Sequence, residues 1–166
     1  MAIRKIRIEG DPILRKKARR VEKIDERTLE ILADMEETMK DANGLGLAAP
    51  QVGILRRLVV VDMQDGKGTM KMINPTILDK SEELQENLEG CLSIPGKSGL
   101  VDRPKNLVLE YTDENGKLVK LDCDEYKAVC VCHELDHLDG ILYPDLAKAM
   151  YDNDELEKLE QEDMNE

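Results

Sequence analysis

The tightest constraint on this chain is a five-residue stretch, HELDH, at residues 133–137. His133 and His137 are its only histidines. On a helix, residues four apart project from one face, one turn apart. The surrounding pattern predicts such a helix over residues 124–140, with Asp124 as its cap and Gly140 just past its end. Tyr126, Val129, Cys130, His133 and His137 fall on one stripe of that helix, and the apolar members require the stripe to face inward. The rest of the chain must therefore wrap around it. Two neutral imidazoles buried one turn apart each need a hydrogen-bond partner, and one metal ion satisfies both. The spacing lets both ring nitrogens reach an ion at about 2.0–2.1 Å. Glu134 stands beside the first of them, where it can take a proton from water.

The segments available to do the wrapping are mostly strands. Residues 57–63, rich in β-branched side chains, read as one. Residues 70–78 read as a second, in which Pro75 marks a bend or an edge. Residues 106–112 and 117–123 are two more, joined through Asn115-Gly116, a strong hairpin signal. An earlier helix is capped by Asp25, carries Leu29, Leu32, Met35 and Met39 on one face, and stops at Gly44. Strands precede the long helix instead of alternating with helices. The fold class is therefore α+β, with antiparallel or mixed sheets packed around a central helix that carries the HExxH motif. At 166 residues the chain reads as a single catalytic domain over residues 1–150. Residues 151–166 form an acidic tail, helical or frayed: from Asp152 onward it holds eight acidic residues against one lysine. With no Phe or Trp and only four Tyr, the core must be built of Leu, Ile, Val, Met and Ala.

A metal on two histidines needs a third ligand. Cys130 shares the helix face, but seven residues separate it from His137, an axial rise of about 10 Å, too far for one ion. Cys132 points away from the stripe. Cys123, at a strand end, and Cys91, between Gly90 and Pro95, remain. Cys91 is preferred, because one thiolate and two imidazoles make an open, catalytic ligand set.

A second feature, GLGLAAPQ at residues 44–51, matches a dinucleotide-binding glycine pattern. Such a pattern must follow a strand and open a helix, with an acidic residue about twenty positions on. Here a helix precedes it and Pro50 ends it. The nucleotide reading fails on that context. What survives is steric: Gly44 and Gly46 let another part of the chain or a ligand come close, and Gln51 offers an amide donor. The net charge of −12 argues against direct binding to nucleic acid or to an anionic membrane. No apolar run approaches the ~20 residues of a spanning helix, and the first residues lack the pattern of a signal peptide. A cytoplasmic location follows as the expectation, with the four cysteines as free thiols or metal ligands.

GLGLAAPQ, EGCLS and HELDH, in that order, make the chain resemble the peptide deformylases, and the flanking EGCLSIPG, VDRP and HELDHLDGILY extend the resemblance. It implies hydrolysis of the N-formyl group from the initiator methionine of nascent polypeptides, with release of formate. By the same resemblance, the metal ligands are Cys91, His133 and His137, and Glu134 is the general acid/base. Gln51 and the backbone N–H of Leu92 face the developing oxyanion. The glycine stretch, with Gly44 and the backbone at Gly46, meets the incoming peptide. Leu45, Glu89, Tyr126, Val129, Cys130 and His133 form the pocket for the methionine side chain. Members of the family use a divalent ion, often ferrous iron, and tolerate zinc or nickel. The implied partners are N-formylmethionyl nascent peptides, with a weak association with the ribosome. Two positions depart from the family's pattern: Ser98 stands where some members place an arginine that meets the peptide, and Tyr126 replaces an aliphatic residue at the pocket rim. Two rivals share the HExxH helix. One is a zincin-type endopeptidase, which draws its third ligand from Glu or His. The other is a closed, four-coordinate structural site that adds Cys123 and performs no turnover.

Overall fold

The computed structural model describes residues 2–164; residues 165 and 166 of the expected tail lie outside that range. Helix α1 (Glu26–Asp41) is followed by strands β1 (Gly46–Ala48), β2 (Leu58–Val61), β3 (Met70–Lys80), β4 (Leu84–Cys91), β5 (Ile94–Pro104), β6 (Asn106–Thr112) and β7 (Leu118–Asp124). Helix α2 (Glu125–Leu138), strand β8 (Ala149–Asp152) and helix α3 (Asn153–Met164) complete the chain. One antiparallel sheet has the order β1-β2-β3-β6-β7, and a second has the order β4-β5-β8. Helix α2 packs against both sheets, which is the α+β arrangement the sequence implies.

Strand β2 shows how the layers form. Its four residues are all buried. Val59 and Val61 join the cluster under α2, while Leu58 and Val60 join the cluster under α1. Successive side chains point to opposite faces, so a strand covered on both faces must be apolar throughout. In β1, Ala48 faces α2 and Leu47 faces α1 in the same way.

Several expectations need correction. Helix α2 is enclosed on nearly all sides: from Ala128 to Leu138 only Asp136 is not buried, the pattern of a core helix with no solvent face. Tyr126, expected on its inward stripe, is 46% exposed near the helix start. On α1, Leu29 is exposed and Ile31 takes its place in the core. The left-handed residue that ends α1 is Asn43, with φ 57°, not Gly44. Pro75 lies in an interior strand, where β3 breaks register between Ile73 and Thr76. It marks a bend and not an edge. Strands β1, β4, β5 and β8 were not expected at all. Strand β8 straddles the expected boundary at residue 150 and adds a third strand to the smaller sheet. Beyond it the described part of the tail is helix α3, and none of its side chains is buried. No helix among the described residues is long and apolar enough to cross a membrane.

Candidate active site

Cys91 ends β4, and the turn at Leu92–Ser93 leads into β5. His133 and His137 lie one turn apart on α2. The sulfur and one nitrogen of each imidazole fall within 4.8 Å of one another, and Cys91 Sγ is 3.4 Å from His137 Nε2. Cys123, packed under α2, and Cys130, on α2 itself, are buried in the core and stand outside this cluster. Of the two candidates, Cys91, the one preferred on spacing, is the one that lies beside both histidines.

Buried charge surrounds the cluster. Glu89 Oε1 is 2.9 Å from His133 Nδ1. The same carboxylate accepts two hydrogen bonds from Arg103, Nε to Oε2 at 2.8 Å and a terminal nitrogen to Oε1 at 3.0 Å. Arg103 also donates to Asp136 at 2.6 Å. With His133 Nδ1 engaged, Nε2 is the nitrogen left for the cluster. Burial pushes the Glu89 carboxyl up, but Arg103 and His133 outweigh it and hold it below the usual carboxylate range. Burial also lowers His133, yet its hydrogen bonds to Cys91 and Glu89 prevail and raise it to about 10. Burial and the neighbouring His133 push His137 down to about 3. Cys91, His133 and His137 offer a donor set of one sulfur and two imidazoles, which suits iron and zinc alike. His137 Nδ1 is buried without a partner.

Glu134 is 5% exposed, with one carboxylate oxygen unpartnered. Burial is the chief cause that raises its carboxyl to about 7; His133 opposes this and Glu89 adds to it. A carboxyl near neutrality can both take and return a proton. Glycine stretch and helix meet at this side chain. A Cβ on Gly46 would lie 2.9 Å from Glu134 Cγ, and one on Gly44 would lie 2.7 Å from Leu92 Cδ1. Both glycines make room for side chains of the site, a close approach of the kind their lack of a side chain predicts.

A cavity of about 340 Å³ opens over these groups. It is lined by every site residue that the resemblance implies except His137, which lies behind the others, 1% exposed. Val129 and Cys130 give it an apolar wall and Tyr126 stands at its rim. Glu89 lines it too, with its carboxylate engaged by Arg103 and His133. Ser98, at the rim, donates to Asn153 Oδ1 at 2.6 Å, so the first residue of α3 closes that side. Two buried residues escaped the sequence reading. Arg103 sits in the VDRP motif, and Ser93 is the last residue of EGCLS. The signal for each was its motif, but neither position shows its partner, which lies on another element.

A model of the polypeptide deformylase family matches residues 3–153. A peptide deformylase from Finegoldia magna is 57% identical over 162 residues, covering 98% of this chain and 99% of that protein. One from Acetivibrio thermocellus is 51% identical over 158 residues, covering 95% and 91%. Among solved structures, the peptide deformylase of Thermotoga maritima superposes with a TM-score of 0.85 at 40% identity, covering 89% of this chain and 99% of that one. The Synechococcus elongatus enzyme, solved in complex with actinonin, gives 0.83 at 41% identity, covering 87% and 78%. The family match takes in both sheets, α1 and α2, and ends on Asn153, where α3 begins and contact with the cavity stops. Over the whole of the part that builds the site, then, this chain belongs to the polypeptide deformylase family of metal-dependent hydrolases.

Proposed function

We propose that the chain removes the formyl group from the initiator formyl-methionine of nascent polypeptides and releases it as formate. The single observation that carries this reading is the convergence of Cys91, His133 and His137 within 4.8 Å, beside the buried Glu134 and at the floor of an open cavity. Those three residues would hold one divalent ion, ferrous iron in the cell, with zinc or nickel as substitutes. When bound, such an ion makes water more acidic and draws electron density from a carbonyl oxygen.

The other residues act on the substrate. Glu134 takes a proton from the attacking water and delivers it to the amine as the C–N bond breaks, a part that a carboxyl raised to about 7 can play in both directions. The Gln51 amide and the Leu92 N–H face the carbonyl oxygen as it gains charge; one such donor is worth ~10²–10³ in rate. Strand β1 is the edge of its sheet and begins at Gly46, so the glycine backbone is free to pair with an extended peptide. Gly44 and Leu45 continue that face. The methionine side chain enters the pocket formed around Leu45, Glu89, Tyr126, Val129, Cys130 and His133. A formyl carbon carries only hydrogen, so the crowding of Gly44 and Gly46 by Leu92 and Glu134 leaves little space for a larger acyl group. The setting is cytoplasmic. Contact with the ribosome is weak, since a net charge of −12 opposes direct contact with nucleic acid.

The test is anaerobic purification with metal analysis, coupled to formate release from a formyl-methionyl peptide, for the parent and for Glu134→Gln. The parent should contain about one ion per chain. The variant should keep its metal and lose ~10²–10⁴ of its turnover. Full turnover in the variant would refute the role of Glu134. A protein that cannot be loaded with metal would remove the whole reading.

A further inference from the structure

The carboxamide of Gln51 is held at both ends. Its Oε1 accepts from the Ala48 N–H at 3.0 Å, which fixes the orientation of the amide and sends Nε2 the other way. One N–H on that nitrogen meets Ser93 Oγ at 3.0 Å, and the other faces Cys91 Sγ at 3.6 Å. Gln51 is 1% exposed and Ser93 is fully buried. Leu92 and Ile94 line the cavity, whereas Ser93 between them does not. Its hydroxyl is thus out of reach of a bound peptide, yet it touches the amide that lines the site.

The backbone adds an independent constraint. The Arg7 N–H donates to the Gln51 carbonyl at 2.7 Å, and the Glu9 N–H donates to the Ser93 carbonyl at 2.7 Å. One short run of chain therefore pins the helical turn that bears Gln51 to the turn that bears Leu92 and Ser93. Forty-two positions separate Gln51 from Ser93 in sequence. Their side-chain hydrogen bond closes the frame whose backbone side the Arg7–Glu9 run already ties.

We infer that Ser93 is the positioning residue for Gln51. It anchors one N–H so that the other is aimed at the place where the carbonyl oxygen gains charge. This rests on the reading of Gln51 as a donor to that oxygen. The two N–H groups divide the work: the one on the oxygen of Ser93 is the pivot, and the one on the side of the sulfur is left for substrate. Loss of the pivot leaves a buried N–H without its acceptor and lets the amide swing. The loss falls on the transition state, where donor direction matters most, and not on substrate binding.

A double-mutant cycle tests this. Formate release from a formyl-methionyl dipeptide is measured for the parent, Ser93→Ala, Gln51→Ala and the double variant, with metal content determined for each. Gln51→Ala should lower kcat by ~10²–10³. Ser93→Ala should lower kcat about tenfold, the scale of one hydrogen bond, with KM and metal content as in the parent. The double variant should be no slower than Gln51→Ala, since a group that acts through Gln51 has nothing left to do without it. If Ser93→Ala does not fold, Ser93→Cys, with a weaker acceptor of similar size, is carried through the same cycle. Unchanged turnover in Gln51→Ala would overturn the underlying reading and the inference with it. Two other results would overturn the positioning role alone: no loss in Ser93→Ala while Gln51→Ala is impaired, or the same tenfold loss from Ser93→Ala in both backgrounds.

Discussion

Arg103, Glu89 and Asp136 carry their charges against the central helix, whereas the charges of α3 all stand in water. The side chains of Arg103 and Glu89 are 4% and 3% exposed and meet in a two-pronged pair; no residue of α3 is buried. The same residue types obey different physics in the two places. Inside, Arg103 and Glu89 have lost their water and stand only because each fits the other closely, while Asp136 keeps part of its own. Outside, a pair of charges is worth ~0–1 kcal/mol and salt screens it. The overall charge of −12 is thus mostly a surface property. The charges that prepare the site are few, enclosed and close to balance.

Removal of Arg103 is the most severe way to probe that difference. Arg103→Ala leaves Glu89 and Asp136 facing each other without a counter-charge. Breaking a buried pair in this way typically costs ~3–5 kcal/mol, to be read by urea unfolding. His133 also loses the fixed carboxylate that orients its ring, so metal affinity should fall by ~10–100-fold, measured by chelator competition. Arg103→Lys should not restore either quantity, because one ammonium cannot span both oxygens of Glu89 and reach Asp136 as well. An Arg103→Ala protein as stable as the parent would mean that enclosure makes no difference to these charges.

Sequence reading reached one kind of information and not the other. Spacing along one helix made the His133–Glu134–His137 group visible, since a period of 3.6 residues converts number into direction. The β6–β7 hairpin was legible through Asn115-Gly116, and Gly116 does adopt φ +79°. Strands β4 and β5 were not. Residues 84–89 alternate between exposed and half-buried in their first five positions and show no clear apolar face, and β5 carries Pro95, Gly96 and Gly99. Their pairing along most of their length, Leu84 with Pro104 through Glu89 with Gly99, stabilises what local preference does not. Glu89 is legible only in part for a related reason: the resemblance puts it at the pocket, which it does line, but its partners Arg103 and His133 lie 14 and 44 positions away. One-dimensional patterns report faces, and the partners of a buried charge are a property of the assembled layers.

Asp34 on α1 occupies the middle ground of the comparison. It is 2% exposed, accepts from the Ala2 N–H at 2.7 Å and pairs with Arg4 at 2.8 Å. Burial pushes its carboxyl up, but the Ala2 N–H and Arg4 outweigh it, so it lies below the ordinary aspartate range. A carboxyl with a folded pKa below its unfolded value of ~3.9 stabilises the fold above that pH, and the benefit fades as pH falls through the folded value. Asp34→Asn should therefore lower the melting temperature at about pH 7. The gap between variant and parent should hold down to about pH 5 and narrow below about pH 4. A gap that widened in acid would show that the charged form is not the stabilising one.

The smallest effect belongs to α3, and its sign can be argued. Asp154 and Glu155 lie in its first turn, where the helix dipole favours negative charge; the last turn holds no basic residue. Glu162 and Asp163 are near that far end, where the dipole opposes them, and the nearby Glu160 adds like charge. Glu162→Gln with Asp163→Asn should thus leave stability within ~0.5 kcal/mol of the parent, on the favourable side if it moves at all. Formate release should not change, since contact between α3 and the cavity ends at Asn153. Melting curves at low and at high salt separate the remaining cases. If exposure is what makes these charges weak, the small gain shrinks as salt rises. A loss of more than ~1 kcal/mol, insensitive to salt, would instead mean that α3 is held by specific partners, and the contrast between enclosed and exposed charge would no longer divide this molecule.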